Sequence, residues 1–200
     1  NNNYIGTLES NFIGNHANTV GGAIQNYKGA YIGNINGDFI GNYIDGASSN
    51  SVGGAISNYG NINTISGNFN DNYVHIDGYA QGGAIVVSFG TINNVIGNFS
   101  NNYTISSELL SYGGAITVYS SIGDITADFT DNYAISLNAS AYGGTIANFG
   151  EYINSITGKF IGNYVVSKQY AVGGGIYNYS TIGNIIADFT NNYAISSNGS

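Results

Sequence analysis

Seven phenylalanines, Phe12, Phe39, Phe69, Phe99, Phe129, Phe160 and Phe189, fall 27, 30, 30, 30, 31 and 29 residues apart. Each is followed three positions on by asparagine: Asn15, Asn42, Asn72, Asn102, Asn132, Asn163 and Asn192. Between these units stand Gly-Gly pairs that begin at Gly21, Gly53, Gly82, Gly113, Gly143 and Gly173. A chain repeating at this period is constrained to a stack of similar units, because one unit buries its apolar face only against the next. An isoleucine precedes every one of the seven phenylalanines by seven positions, from Ile5 to Ile182. Such constant spacing places like residues in columns when coils stack in register. Helical periodicity is absent, and β-branched residues alternate over short stretches between Gly, Asn and Ser. The pattern predicts an all-β chain: a right-handed parallel β-helix (β-solenoid) of about 30 residues and three short strands per coil, in six to seven coils. The hand is taken from the general preference of parallel crossovers. Residues 1–200 read as one solenoid segment, excised from or part of a longer repeat array.

Composition agrees with this and excludes several functions. Charged residues make up only 7% while 42% are hydrophobic, which is the reverse of a disordered chain. Proline, which would delete a ladder donor, is absent. Three lysines, no arginine and a net charge of −8 leave no cationic groove for nucleic acid and no attraction to an anionic membrane surface. Without cysteine there is neither a disulfide nor a thiolate metal site. No apolar run has the length of a membrane-spanning helix, so direct membrane insertion is not expected.

The columns can be assigned from residue chemistry. Phe39, Phe69, Phe99, Phe129, Phe160 and Phe189 are expected inside, stacked at the inter-strand spacing of about 4.8 Å. Asn42, Asn72, Asn102, Asn132, Asn163 and Asn192 read as a buried amide ladder, each side chain donating to a carbonyl of the next coil. The Gly-Gly pairs read as a bend that needs positive φ. A tyrosine follows six of the ladder asparagines, and His16 takes that place in the first unit. Alternation turns this column, which includes Tyr73, Tyr103 and Tyr133, outward. It then forms either an aromatic stripe suited to a sugar or a partner surface, or a satellite core under the following loop; the second is preferred.

Regularity breaks between the ladder asparagine and Gly-Gly, where five to ten residues of changing identity intervene. A segment of such variable length reads as an excursion outside the coil, and shortening residues 106–111 is expected to spare the fold. Insertions of this kind line one face of a solenoid, often the binding face. Glu108, Leu109 and Leu110 stand out there as a possible contact surface, because a Leu pair is unusual in so polar a loop.

Catalytic chemistry finds little support. Glycoside hydrolysis needs two carboxylates across a cleft, and Asp128 with Asp131 are the candidates. Yet Asn68, Asn98 and Lys159 take the Asp128 position in other units, as a solvated column allows. No cofactor and no metal site are expected. His16 and His75 lie in different coils, and the Gly-rich nonapeptide of calcium-binding coils is missing.

The alternation of G-G-A-[ILV] with F-x-x-N resembles the passenger repeats of chlamydial polymorphic membrane proteins and related bacterial autotransporters. Gly21–Ile24, Gly53–Ile56, Gly82–Ile85 and Gly113–Ile116 carry the first motif in full, while Thr145 and Gly175 depart at its third position. The resemblance implies a right-handed β-helical passenger on a bacterial cell surface, acting in adhesion. The expected function is therefore a non-catalytic structural and adhesive module, extracellular or on a bacterial cell surface, contacting a host-surface or cell-surface protein or glycan. The first alternative is a filament subunit, a homo-oligomer formed by end-to-end stacking. A polysaccharide-acting β-helix enzyme is the distant third.

Overall fold

The computed structural model describes residues 3–198, and these form a parallel β-solenoid without a helix. Four parallel sheets of ten, seven, five and six strands run the length of the stack. One coil illustrates all four. The long sheet contributes Ser121–Thr130 and the tyrosine sheet Tyr133–Ser136. The return sheet contributes Ala141–Tyr142 and the glycine sheet Ile146–Asn148. Register is strict: Phe69 pairs with Phe99, Phe99 with Phe129, and Phe129 with Phe160.

The fourth sheet corrects the sequence reading. The variable segment is not wholly outside the coil, because its second half re-enters as Asn50–Val52, Tyr79–Gln81, Ser111–Tyr112, Ala141–Tyr142 and Ala171–Val172. Its residues also hold it down. Ser106 is fully buried; its hydroxyl donates to the Gly78 carbonyl at 2.6 Å and accepts from the Leu109 N–H at 2.9 Å. Ser111 Oγ donates to Thr104 Oγ1 at 2.8 Å. Deleting residues 106–111 would remove half of the Ser111–Tyr112 strand and two internal hydrogen-bonding groups, Ser106 and Ser111, so this change is expected to destabilise the fold. Only the tip, around residues 107–109, projects.

The return sheet closes a second compartment. Ile and Phe of the long sheet pack against Ile56, Ile85, Ile116 and Ile146 of the glycine sheet in one continuous core. Ile44, Val74, Ile76 and Ala80 form a separate small core, as do Ala134, Ala141 and Val165 further along. The cross-section is thus a figure of eight, and the Gly-Gly pair sits at its waist. The first glycine of each pair adopts φ between +55° and +72°, the bend the sequence called for. The second is required for a different reason. A β-carbon on Gly83 would stand 2.1 Å from the Gly114 carbonyl oxygen and 2.5 Å from that of Tyr103. The glycine bend touches the next coil's bend and the start of its tyrosine strand there through bare backbone.

A further turn position explains the acidic residue beside Phe129. The residue just before each ladder asparagine has positive φ in every coil: Gly14, Gly41, Asp71, Asn101, Asp131, Gly162 and Asn191. Only Gly, Asn and Asp enter this left-handed region readily. Asp131 therefore occupies a bend position whose occupants share a backbone conformation. Gly41→Asn is expected to change the melting temperature little, whereas Asn101→Val should cost about 1–3 kcal/mol. Thermal denaturation followed by circular dichroism separates the two; equal melting of both variants would remove the left-handed constraint.

Candidate functional site

The internal ladders occupy the side chains that the sequence singled out most clearly. Phe39, Phe69, Phe99, Phe129 and Phe160 are completely buried, with ring centroids 4.5–5.1 Å apart. Phe189, in the last coil, stacks on Phe160 at 4.6 Å and is half exposed. The amide ladder is hydrogen-bonded in both directions. Asn102 Nδ2 donates to Asn132 Oδ1 at 2.9 Å and to the Phe69 carbonyl of the preceding coil at 2.8 Å. Its own Oδ1 accepts from both Asn72 N at 3.1 Å and Asn72 Nδ2 at 2.9 Å. The same pattern runs through Asn42, Asn72, Asn132 and Asn163, and Asn192 ends it by donating to the Phe160 carbonyl. These groups are committed to the fold.

A second, interrupted amide ladder lies at the end of the glycine sheet. Asn26 Nδ2 donates to Asn58 Oδ1 at 2.8 Å, and Asn148 Nδ2 donates to Asn178 Oδ1 at 2.8 Å. Between them Val87 and Val118 hold the same register position. Asn58 Nδ2 is consequently buried without a hydrogen-bond partner. Val87→Asn or Val118→Asn alone should destabilise the chain, because each leaves a new buried amide facing a valine methyl. Joined, they complete the ladder, and a double-mutant cycle should show favourable coupling of about 1–2 kcal/mol. Simple additivity in denaturant unfolding would contradict this.

The tyrosine column lies on the outer face of its sheet, as alternation required: Val74, Thr104, Ala134 and Val165 are buried while the tyrosines between them are half-buried. Tyr73, Tyr103 and Tyr133 stack with centroids 4.8 Å apart and planes within 2°. Both ring faces are therefore spent on neighbouring tyrosines, and the outside world meets ring edges and hydroxyls. Sugar stacking on ring faces is not available along this column. Beside it run Ile105, Ile135 and Val166, two positions further along their strands, with Asp45 and His75 in the earlier coils. His75 Nδ1 is 3.8 Å from Asp45 Oδ1, an exposed pair of little energetic weight.

Burial raises the phenol of Tyr133 to about 12, with further contributions from Tyr164 and Asp71. Tyr73, Tyr103 and Tyr164 are also raised, again chiefly by burial and then by neighbouring tyrosines or aspartates. An unfolded phenol releases its proton near 10.0. Above that pH the unfolded chain binds fewer protons than the folded one, so the stacked phenols' contribution is full below about pH 10 and is lost as pH rises towards 12. Phenolate absorbance should accordingly appear together with loss of the circular-dichroism signal; independent ionisation of the column in the folded state would refute the linkage.

At the loop tip Glu108 is exposed, Leu109 is 37% exposed and Leu110 is half-buried. Their backbones are tied in: Glu108 N donates to the Asp77 carbonyl, and the Leu110 carbonyl accepts from Ala80 N. In the next coil Leu137 projects further, at 57% exposure. Tyr103, Tyr133, Ile105, Ile135, Leu109 and Leu137 thus belong to one side of the solenoid. Asp128 lies on the long sheet in register with Asn98, while Asp131 is at the left-handed bend beyond Phe129. Among the described residues no group of three or more His, Cys, Asp or Glu side chains could hold a metal ion.

Sequence reasoning missed an aromatic residue in each turn from the glycine sheet to the long sheet: Tyr27, Tyr59, Phe89, Tyr119, Phe149 and Tyr179. The signal was present, since five of the six fall three residues after the isoleucine of the Gly-Gly motif and Phe89 falls four after it. No protein-family model, curated protein or solved structure matches this chain.

Proposed function

We propose that this chain is a non-catalytic structural repeat module of adhesive type, displayed outside the cell, whose tyrosine sheet and loop tips contact a cell-surface protein or glycan. The observation that carries the reading is the division of labour among side chains. Aromatic, amide and glycine columns are consumed in holding coils together, whereas Leu109, Leu137 and the half-buried Ile105–Ile135 column form an apolar strip on the outer surface, apart from the main core. Apolar strips of this kind mark interaction surfaces. The resemblance of the repeats to autotransporter passengers supports a bacterial surface location. Beads coated with the protein should be retained on cultured epithelial cells, and Leu109→Ser with Leu137→Ser should abolish retention without changing the circular-dichroism spectrum. Retention equal to that of uncoated beads, or undiminished in the double variant, would sink this reading.

A second reading is self-association end to end. Phe189, Ile185 and Ile5 in the end coils present to solvent the columns that inner coils bury, so a further coil, of a longer chain or of a second copy, fits against either end. Electron microscopy over a concentration series distinguishes the two: long unbranched fibres favour this reading, short rods the first.

A further inference from the structure

The six turn aromatics, one per coil, form a strip along the corner between the glycine and long sheets. Their geometry differs from that of the phenylalanine and tyrosine stacks. Tyr59 and Phe89 have centroids 5.6 Å apart and planes inclined by 31°; Phe149 and Tyr179 are 6.4 Å apart and inclined by 40°. Tyr119 and Phe149 are parallel but loose, at 5.6 Å. These pairs are looser than the 4.5–5.1 Å of the phenylalanine ladder, and of the three only Tyr119 and Phe149 lie near parallel. In the central coils Phe89 is 68% exposed and Tyr119 38%. Phe149 is wedged beneath, edge-on to Tyr112 at 5.1 Å and against Tyr177 at 5.4 Å, which fixes the strip in place.

The surroundings choose the ligand. Of the chain's fourteen charged side chains only Lys28 and Glu151 lie in these turns, four coils apart and opposite in sign, so the turns together carry no net charge. Lys28 Nζ stands 5.9 Å from the Phe89 centroid, a cation–π contact that ties this lysine to the corner. A corner without net charge on a protein of net charge −8 suits an uncharged partner and disfavours a polyanion. Ring faces flanked by phenol hydroxyls and amides such as Asn61 bind apolar and hydroxyl-bearing surfaces at once, at low conformational cost. One ring per coil advances by about 4.8 Å, comparable with one pyranose unit of an extended chain. We infer that this corner is a binding strip for a linear uncharged polysaccharide lying along the solenoid axis, its sugar rings resting on Phe89, Tyr119 and their neighbours. The inference does not rest on the tyrosine sheet, whose variants test the adhesive reading separately.

Calorimetric titration with neutral hexasaccharides of β-1,4-glucose, β-1,3-glucose and β-1,4-N-acetylglucosamine tests it, with a galacturonate hexamer as the charged comparison. At least one neutral hexamer should bind and the charged one should not. Phe89→Ala and Tyr119→Ala should each weaken binding about tenfold, while Ile96→Ala, an exposed apolar truncation on the long sheet, leaves it unchanged. Circular dichroism should show all three variants folded. Failure of every neutral hexamer to bind, or binding that persists in both aromatic variants, overturns the proposal. So does a protein partner lost with the same two variants while no glycan binds.

Discussion

Replacing Gly83 by Ala is expected to cost about 4 kcal/mol or more and to lower the melting temperature by about 10 °C. The methyl group would lie 2.1 Å from the Gly114 carbonyl oxygen, 2.5 Å from that of Tyr103 and 2.6 Å from Tyr103 N. All three are backbone atoms, one of the neighbouring glycine bend and two of the tyrosine strand, held in register on both sides, so none can swing away as a side-chain end would. The φ of Gly83 is not in the left-handed region, which isolates the steric effect. Gly29 supplies the complement, with φ of +80° and open space around its missing β-carbon. Gly29→Ala should cost only about 1 kcal/mol, the backbone penalty alone. Melting curves of the two variants decide the matter. Should Gly83→Ala melt close to the parent chain, the waist between the two compartments does not exist in the form described, and the return sheet would need another explanation.

That waist also marks where the sequence stops being legible. The phenylalanine and asparagine columns could be read from spacing because each depends on one residue type filling a site that no other type fills. A buried amide bonded to two coils tolerates no substitute, and a ring between two rings tolerates few. The return sheet offers no such signature. Its strands are two or three residues long, too short to show alternation, and the small compartment accepts Ser51, Ala80, Ser111, Ala141 or Ala171 at one register position. Any small side chain serves, so identity varies while geometry does not. The second amide ladder was hidden by Val87 and Val118, which fill its middle with apolar volume. For the turn aromatics the obstacle was different. Tyr and Phe alternate there without a fixed neighbour, as a surface column permits, and only their shared corner in three dimensions brings them together.

Asn102→Leu tests the central ladder and should have the second large effect. Leucine keeps the number and branching of asparagine's side-chain heavy atoms, so the chief loss is one of hydrogen bonds. Four groups lose a partner in the interior, among them Asn132 Oδ1, which keeps only the Asn102 N–H as donor. Asn72 N–H loses its acceptor at 3.1 Å, Asn72 Nδ2 loses one of its two acceptors, and the Phe69 carbonyl loses a donor at 2.8 Å. At roughly 1–3 kcal/mol for a buried unsatisfied group, partly relieved by relaxation, the total comes to about 3–5 kcal/mol. Asn102→Asp separates hydrogen bonding from packing. The carboxyl keeps an acceptor for Asn72, but as a carboxylate it would face Asn132 Oδ1 and the Phe69 carbonyl with no proton to donate. Its folded pKa should therefore lie above the unfolded value, so the variant is more stable in acid and loses stability as pH rises through the folded pKa. The parent chain has no such group at this site. A melting temperature of Asn102→Asp that climbs on acidification, beside an Asn102→Leu variant that stays low at every pH, would locate the stability in the amide pairing. Equal melting of Asn102→Leu and the parent chain would instead mean that the phenylalanine stack carries the solenoid and the asparagines are passengers on it.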